Sequence, residues 1–186
     1  MNLRIIAGEF KRRVIKSPGS RQTHPMGERI RGAVFNKLVG YLSGAVVLDA
    51  FAGTGALGLE ALSRGAKEVT LVEKDRKAQK VIADNIEALN VEQKAKLVRA
   101  SVNGWLRSTL AEHDKKDLPR FDIIFADPPY WDPQFRLVER LVQLLAPSGV
   151  LVLSHAKALD TPELAGLRLI DRREYSDAVI AYFEPI

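Results

Sequence analysis

The segment Gly53-Thr54-Gly55-Ala56-Leu57-Gly58 constrains this chain more than any other. It follows an apolar run from Ala45 to Ala50 that reads as a buried strand. It opens an apolar helical stretch from about Ala56 to Arg64, which Gly65 stops. Glycines at this spacing let the backbone approach a ligand with no Cβ in the way, and the helix start behind them offers amide donors. A second strand, Val69 to Glu73, ends in an acid twenty residues after Gly53. That is the separation at which a carboxylate reaches a ribose hydroxyl in strand–turn–helix nucleotide sites.

The alternation continues along the chain. Ala78, Val81, Ile82, Ile86 and Leu89 follow helical spacing up to Asn90. Lys96 to Arg99 reads as a third strand and Val102 to Glu112 as a third helix, before a polar break from His113 to Arg120. Phe121 to Ala126 is a fourth strand, a helix runs from about Gln134 to Leu145, and Val150 to Leu153 is a fifth strand. Leu167 to Arg173 and Ala178 to Phe183 are two strands with only a turn between them. The pattern predicts an α/β fold with a mostly parallel sheet, helices on both faces and a C-terminal antiparallel hairpin. A length of 186 residues without an internal repeat fits one domain spanning 1–186.

Residues 1–43 are expected to form an arm on that domain. Leu3 to Ile6 and Arg13 to Lys16 flank Gly8 as a short hairpin, and Ser17 to Gly27, with two prolines and two glycines, is a loop. Ile30, Val34, Leu38 and Leu42 then mark one helix from about Glu28 to Leu42. Its other side carries Arg29, Arg31 and Lys37. Residues 1–40 hold nine Lys or Arg against Glu9 and Glu28, a balance of +7. The whole chain is +5, so the remaining residues sum to −2 and the basic character belongs to the arm. Such a one-sided segment suits a polyphosphate partner, through counterion release, and equally a solvated basic surface.

The chain has no cysteine, which excludes disulfides and thiolate zinc sites. His24, His113 and His155 are far apart and lack ligand-like neighbours, so no metal site is expected. No apolar run approaches a membrane span, and Met-Asn-Leu-Arg-Ile-Ile-Ala lacks the form of a secretory signal. A cytoplasmic protein is expected.

Two motifs select the chemistry. Asp49 ends the first strand of the body, four residues before Gly53. A carboxylate there repels a pyrophosphate, but it can hydrogen-bond the ammonium of a methionine moiety. S-adenosylmethionine therefore suits the turn better than a nicotinamide dinucleotide. The fourth strand runs into Asp127-Pro128-Pro129-Tyr130, on the same carboxyl edge of the sheet. Asp127 and the Pro128 carbonyl can accept the two N–H bonds of an aromatic amine, drawing its nitrogen toward tetrahedral character. Two prolines stiffen the loop. Tyr130 offers a face to a base removed from its stack. Trp131 either extends that platform or caps the loop, Phe51 either shields the pocket or packs beneath it, and Trp105 reads as core.

These residues resemble the RsmD-type methyltransferases, which modify the N2 amino group of a guanine in small-subunit ribosomal RNA. The resemblance covers nearly the whole chain. It rests on Arg4-Ile5-Ile6-Ala7-Gly8, Glu28-Arg29-Ile30-Arg31 leading to Phe35-Asn36, the run from Asp49 to Ala66, Glu73, and Asp127 to Tyr130. It implies a Rossmann-like class I methyltransferase sheet, S-adenosylmethionine as cofactor, and 16S ribosomal RNA as substrate, free or within the small subunit. It implies cofactor contacts from Asp49, Phe51, Ala52, Gly53, Thr54, Gly55, Glu73, Lys74, Ser101, Val102 and Asp127, with the guanine at Asp127, Pro128, Pro129 and Tyr130. Arg4, Lys11, Arg12, Arg13, Arg21, Arg29 and Arg31 are the expected RNA contacts, and a monomer is expected. The chain departs from the family at His24-Pro25-Met26, where Arg-Pro-Thr is common. It departs again at Ser101, where many members carry an acid near the adenine amino group.

Three alternatives remain open on the residues alone. A DNA or RNA adenine-N6 methyltransferase would use the same Asp-Pro-Pro-Tyr loop. An oxidoreductase would bind NAD at Gly53 to Gly58, and a non-catalytic module would only bind RNA.

Overall fold

The computed structural model describes residues 2–19 and 26–186, so Arg21, His24 and Pro25 lie outside the described residues. A two-stranded antiparallel ribbon, β1 (Asn2–Arg4) and β2 (Val14–Lys16), comes first. Helices α1 (Glu28–Lys37) and α2 (Val39–Leu42) follow, and then the alternating body: β3 (Val46–Asp49), α3 (Ala56–Ser63), β4 (Glu68–Glu73), α4 (Arg76–Leu89), β5 (Ala95–Arg99), α5 (Val102–Glu112), β6 (Phe121–Ala126) and α6 (Phe135–Leu141). A 3-10 turn at Val142–Leu144 leads into β7 (Leu145–Ala156), followed by β8 (Leu167–Glu174) and β9 (Ala178–Pro185). The seven body strands lie in the order β5-β4-β3-β6-β7-β9-β8. The first five are parallel, and β9 pairs antiparallel with both β7 and β8.

Side-chain alternation divides the core into two layers. Val47, Leu71, Ile123 and Val152 pack with α1, α3 and α4 on one face. Leu48, Val72, Ile124 and Leu151 pack with α5 and α6 on the other. A one-residue slip in any of these strands would exchange the faces, so the apolar pattern fixes the register.

Two elements differ from the expectation. The helix expected through Leu42 breaks at Leu38 (φ −87°, ψ 4°). A stripe that repeats every four residues drifts about 40° per repeat around a helix of 3.6 residues per turn. The break turns Leu42 back toward the core, where it and Leu38 are both buried. The helix expected to reach Leu145 stops at Leu141, and β7 begins at Leu145 rather than at Val150. Leu145 pairs with Phe121 and Val150 with Ile123, so the chain between them bulges. Gly149 sits there because a Cβ would come within 3.0 Å of the Phe121 and Asp122 carbonyls.

The ribbon docks on α3 with its turn against the last residues of that helix. The Glu9 amide donates to the Ser63 carbonyl at 2.7 Å, and the Phe10 amide to the Ser63 hydroxyl at 2.9 Å. Gly8 has φ +84°, and a Cβ there would lie 1.7 Å from the Ser63 carbonyl oxygen. Gly8→Ala is therefore expected to cost on the order of 3 kcal/mol, through both the backbone conformation and the clash. Urea unfolding measures this, and a loss below about 1 kcal/mol would mean that the turn is not seated on α3.

Candidate active site

The order of the sheet reverses at β3 and β6, which are neighbours whose following helices cover opposite faces. Their carboxyl ends open a crevice, the usual ligand position in such sheets. Asp49, the last residue of β3, is 1% exposed, and its Oδ2 accepts from the Gly58 amide at 3.0 Å. Burial pushes this carboxyl up to about 7. The Gly58 N–H pulls it back, while the charges of Asp127 and Glu73 push it further. Three carboxylates from β3, β4 and the end of β6 therefore act on one space.

The glycine turn closes one side of that space. Gly53 and Gly55 have φ of 54° and 77°, conformations that a side chain would strain. Gly58 is needed for a different reason: a Cβ there would meet Leu71 and Val69 at 2.8 Å, so it allows α3 to approach β4. Glu73 braces the turn with Oε2, which accepts from the Gly53 amide at 2.8 Å, and Oε1 accepts from the Asp75 amide at 2.7 Å. Asp75 in turn caps α4 through the Ala78 amide at 2.8 Å. Ala52 and Thr54 are buried beneath the turn, and Phe51 is half-buried against the α5 and α6 layer. Lys74 is exposed after β4. Ser101 caps α5, its hydroxyl accepting from the Gly104 amide at 3.1 Å, and Val102 is buried behind it.

Across the crevice, Asp127 leaves β6 with its carboxyl pushed up to about 6 by burial, an effect that the Ser154 hydroxyl partly offsets. Pro128 is buried and Pro129 half-buried, and the Asp132 amide closes the turn onto the Pro129 carbonyl at 2.9 Å. Tyr130 is half-buried, its hydroxyl 3.2 Å from that of Ser154. Ser154, buried on β7, is a site residue that the motifs do not reveal. Its one signal is a hydroxyl directly after the apolar run Val150 to Leu153. Trp131 is 71% exposed beside the loop, whereas Trp105 packs near Phe121 with ring centroids 6.4 Å apart.

The basic arm is less uniform than its charge suggests. Arg4, Lys11, Arg12, Arg13 and Arg29 are exposed. Arg31 is fully buried, which corrects its expected role as a phosphate contact. Its guanidinium donates to the Met26 and Arg4 carbonyls, and its Nε lies 3.7 Å from Glu60. Burial lowers the guanidinium from its ordinary value and Glu60 opposes that shift. Glu60, itself buried within α3, also accepts from the Ile6 and Ala7 amides and from Arg64. Arg31 and Glu60 thus fasten the arm to α3, and none of the Arg31 side chain is left exposed to hold RNA. Arg13 donates to the Ala88 carbonyl in the last turn of α4. With Glu9 at the end of α3, this puts Lys11, Arg12 and Arg13 at the end of the sheet remote from Asp127. Arg4 lies opposite Val14 in the ribbon, its carbonyl accepting from Arg31, and Arg29 lies in the first turn of α1.

Comparison with known proteins places this geometry. A family model described as "Conserved hypothetical protein 95" matches residues 3–184. The Ribosomal RNA small subunit methyltransferase D of Haemophilus influenzae is 34% identical over 150 residues, covering 80% of this chain and 73% of that one. Its Escherichia coli namesake is 35% identical over 149 residues, covering 80% and 69%. This chain belongs to the RsmD-type methyltransferase family. The solved structure described as "Putative methyltransferase yhhF from Escherichia coli" superposes with a TM-score of 0.87 at 27% identity, covering 100% of this chain and 98% of that one. The mostly parallel sheet with its antiparallel C-terminal strands is thus the architecture of this family as well as the one that the alternation predicts. Among the described residues no helix is long and apolar enough to cross a membrane.

Proposed function

We propose that this chain transfers the methyl group of S-adenosylmethionine to the N2 amino group of a guanine in small-subunit ribosomal RNA. The observation that carries the reading is that Asp49, Glu73 and Asp127 stand at the carboxyl ends of the adjacent parallel strands β3, β4 and β6, beside the Asp-Pro-Pro-Tyr loop. Asp49 and Asp127 oppose a pyrophosphate and favour a ligand with an ammonium and a sulfonium, so they fit S-adenosylmethionine and disfavour NAD, while Glu73 suits the ribose of either. Asp49 would hold the ammonium and Glu73 the ribose hydroxyls, while Gly53 to Gly55 admit the ligand to the backbone.

When bound, S-adenosylmethionine would supply an electrophilic methyl group, and sulfur would keep the electron pair of the S–C bond as the N–C bond formed. Asp127 and the Pro128 carbonyl accept the two amino hydrogens and aim the nitrogen lone pair at that methyl group. Positive charge develops on the nitrogen, and the Asp127 carboxylate stabilises it before the proton departs. Tyr130, its hydroxyl held by Ser154, presents a ring against which the extruded base stacks. Most of the rate comes from this alignment.

Ribosomal RNA rather than DNA is supported by the relatives' names and by the basic arm, and guanine N2 rather than adenine N6 by the resemblance of the motifs to RsmD-type enzymes. Labelled S-adenosylmethionine incubated with small subunits and with free ribosomal RNA tests this. N2-methylguanosine is the expected product, and N6-methyladenosine or no incorporation would overturn it. For the arm, charge reversal of Arg4 and Arg29 together is expected to weaken RNA binding about tenfold and to reduce its salt slope by about two. Binding of S-adenosylhomocysteine should be unaffected. The same reversal at Lys11 and Arg12, at the far end of the sheet, should have a smaller effect, and filter binding at several salt concentrations separates the two pairs.

A further inference from the structure

Asn85 belongs to α4 and lies outside every motif considered above, yet it is 2% exposed and its carboxamide makes three hydrogen bonds. Oδ1 accepts from the Lys16 amide at 2.8 Å. Nδ2 donates to the Lys16 carbonyl at 3.0 Å and to the Thr54 carbonyl at 3.2 Å. The first two bonds grip the end of β2 by both its N–H and its C=O, as a neighbouring strand would. The third reaches the middle of the glycine turn. Among the described residues no other side chain donates to a carbonyl of Gly53, Thr54 or Gly55.

Two carboxylates from outside the turn also hold it and its helix, Glu73 on the Gly53 amide and Asp49 on the Gly58 amide. On the functional reading above both would take a second partner when the cofactor binds, and their grip on the backbone would then be shared. Asn85 has no such competitor. It is a neutral strut behind the turn, anchored at its other end in the N-terminal ribbon.

We infer that Asn85 is a positioning residue, holding the Thr54 carbonyl so that the turn keeps its cofactor-binding shape and making that shape depend on the docked ribbon. This rests on the reading of Gly53 to Gly55 as the cofactor turn. Docking of the ribbon and binding of the cofactor are then linked, and each strengthens the other by the same factor.

Calorimetric titration of the full-length chain with S-adenosylhomocysteine tests the inference in two variants. Asn85→Asp keeps the oxygen that faces the Lys16 amide and loses both donors. Lys16→Pro removes the amide that Asn85 accepts while leaving Asn85 and Thr54 in place. Both variants are expected to raise the dissociation constant about three- to tenfold, the effect of one net hydrogen bond. The stoichiometry, which reports the folded fraction, is expected to stay near that of the unaltered chain. A purely structural role predicts the reverse, a lower stoichiometry or melting temperature with an unchanged dissociation constant, and would overturn the inference. Should Asn85→Asp not fold, Lys16→Pro alone decides, since wild-type affinity there breaks the link to the ribbon. Failure of the unaltered chain to bind S-adenosylhomocysteine would instead overturn the functional reading, and this inference with it.

Discussion

Asp127→Ala is expected to reduce methyl transfer by about two to three orders of magnitude, the usual loss when a group that stabilises transition-state charge is removed. Binding of S-adenosylhomocysteine should persist, because Asp49 and the glycine turn remain. The fold should persist as well. The Asp127 carboxyl is held at about 6, above the ordinary value, so its charged form is unfavourable in the folded chain and its loss is no burden on stability. The same shift gives the pH dependence of the intact enzyme. Transfer requires the carboxylate, so the rate should rise with pH through about 6 and then level. Single-turnover rates between pH 5 and 8 measure this. A variant that retains more than a tenth of the wild-type rate would remove Asp127 from the chemistry.

Asp49→Asn is expected to separate stability from binding. In the folded chain the Asp49 carboxyl titrates near 7 against an ordinary value of 3.8. A raised acid is disfavoured as pH climbs from its unfolded to its folded value, so above pH 7 the charged form costs the folded state on the order of 4 kcal/mol. Asparagine keeps an oxygen for the Gly58 amide and carries no charge. The variant should therefore melt higher than wild type at pH 8, with the difference disappearing near pH 4. Affinity for S-adenosylhomocysteine should nevertheless fall about ten- to a hundredfold, because a charge-assisted bond to the ammonium is lost. In the wild type, affinity should fall as pH drops below 7 and Asp49 gains its proton. Melting curves and titrations on the same samples test both halves, and an unchanged affinity in the variant would mean that Asp49 does not hold the ligand's ammonium.

What can be read from the residues themselves is whatever is local. The glycine turn, its strand and its acid lie within thirty residues, and the period of the apolar positions fixes which strand faces which layer. Asp49 and Asp127 end neighbouring parallel strands, so their meeting at one edge follows from the alternation alone. The misreadings involve partners far apart in the chain. Arg31 reads as a surface cation because of its charge, although it stands three, four and seven residues before Val34, Phe35 and Leu38 and so on their buried face; its partner there, Glu60, comes from α3. Ser154 and Asn85 carry no motif, and each acquires a role from a neighbour on another element. The break at Leu38 is hidden in a different way. A four-residue repeat satisfies a helical template over one or two turns, and its drift matters only against a flat layer of strands.

The docking of the first residues on α3 and α4 has a consequence for biosynthesis. Residues 2–16 are made before the side chains that hold them: the carboxylate that accepts the Ile6 and Ala7 amides belongs to Glu60, and the carboxamide that grips Lys16 belongs to Asn85. The ribbon's docking site on α3 and α4 is therefore incomplete until synthesis has passed Asn85, and for longer once the exit tunnel is counted. Leu3, Ile5 and Ile15, all buried in the finished protein, lack part of their cover throughout that interval. The ribbon waits for two helices that are made after it, and both must emerge before it can find its place.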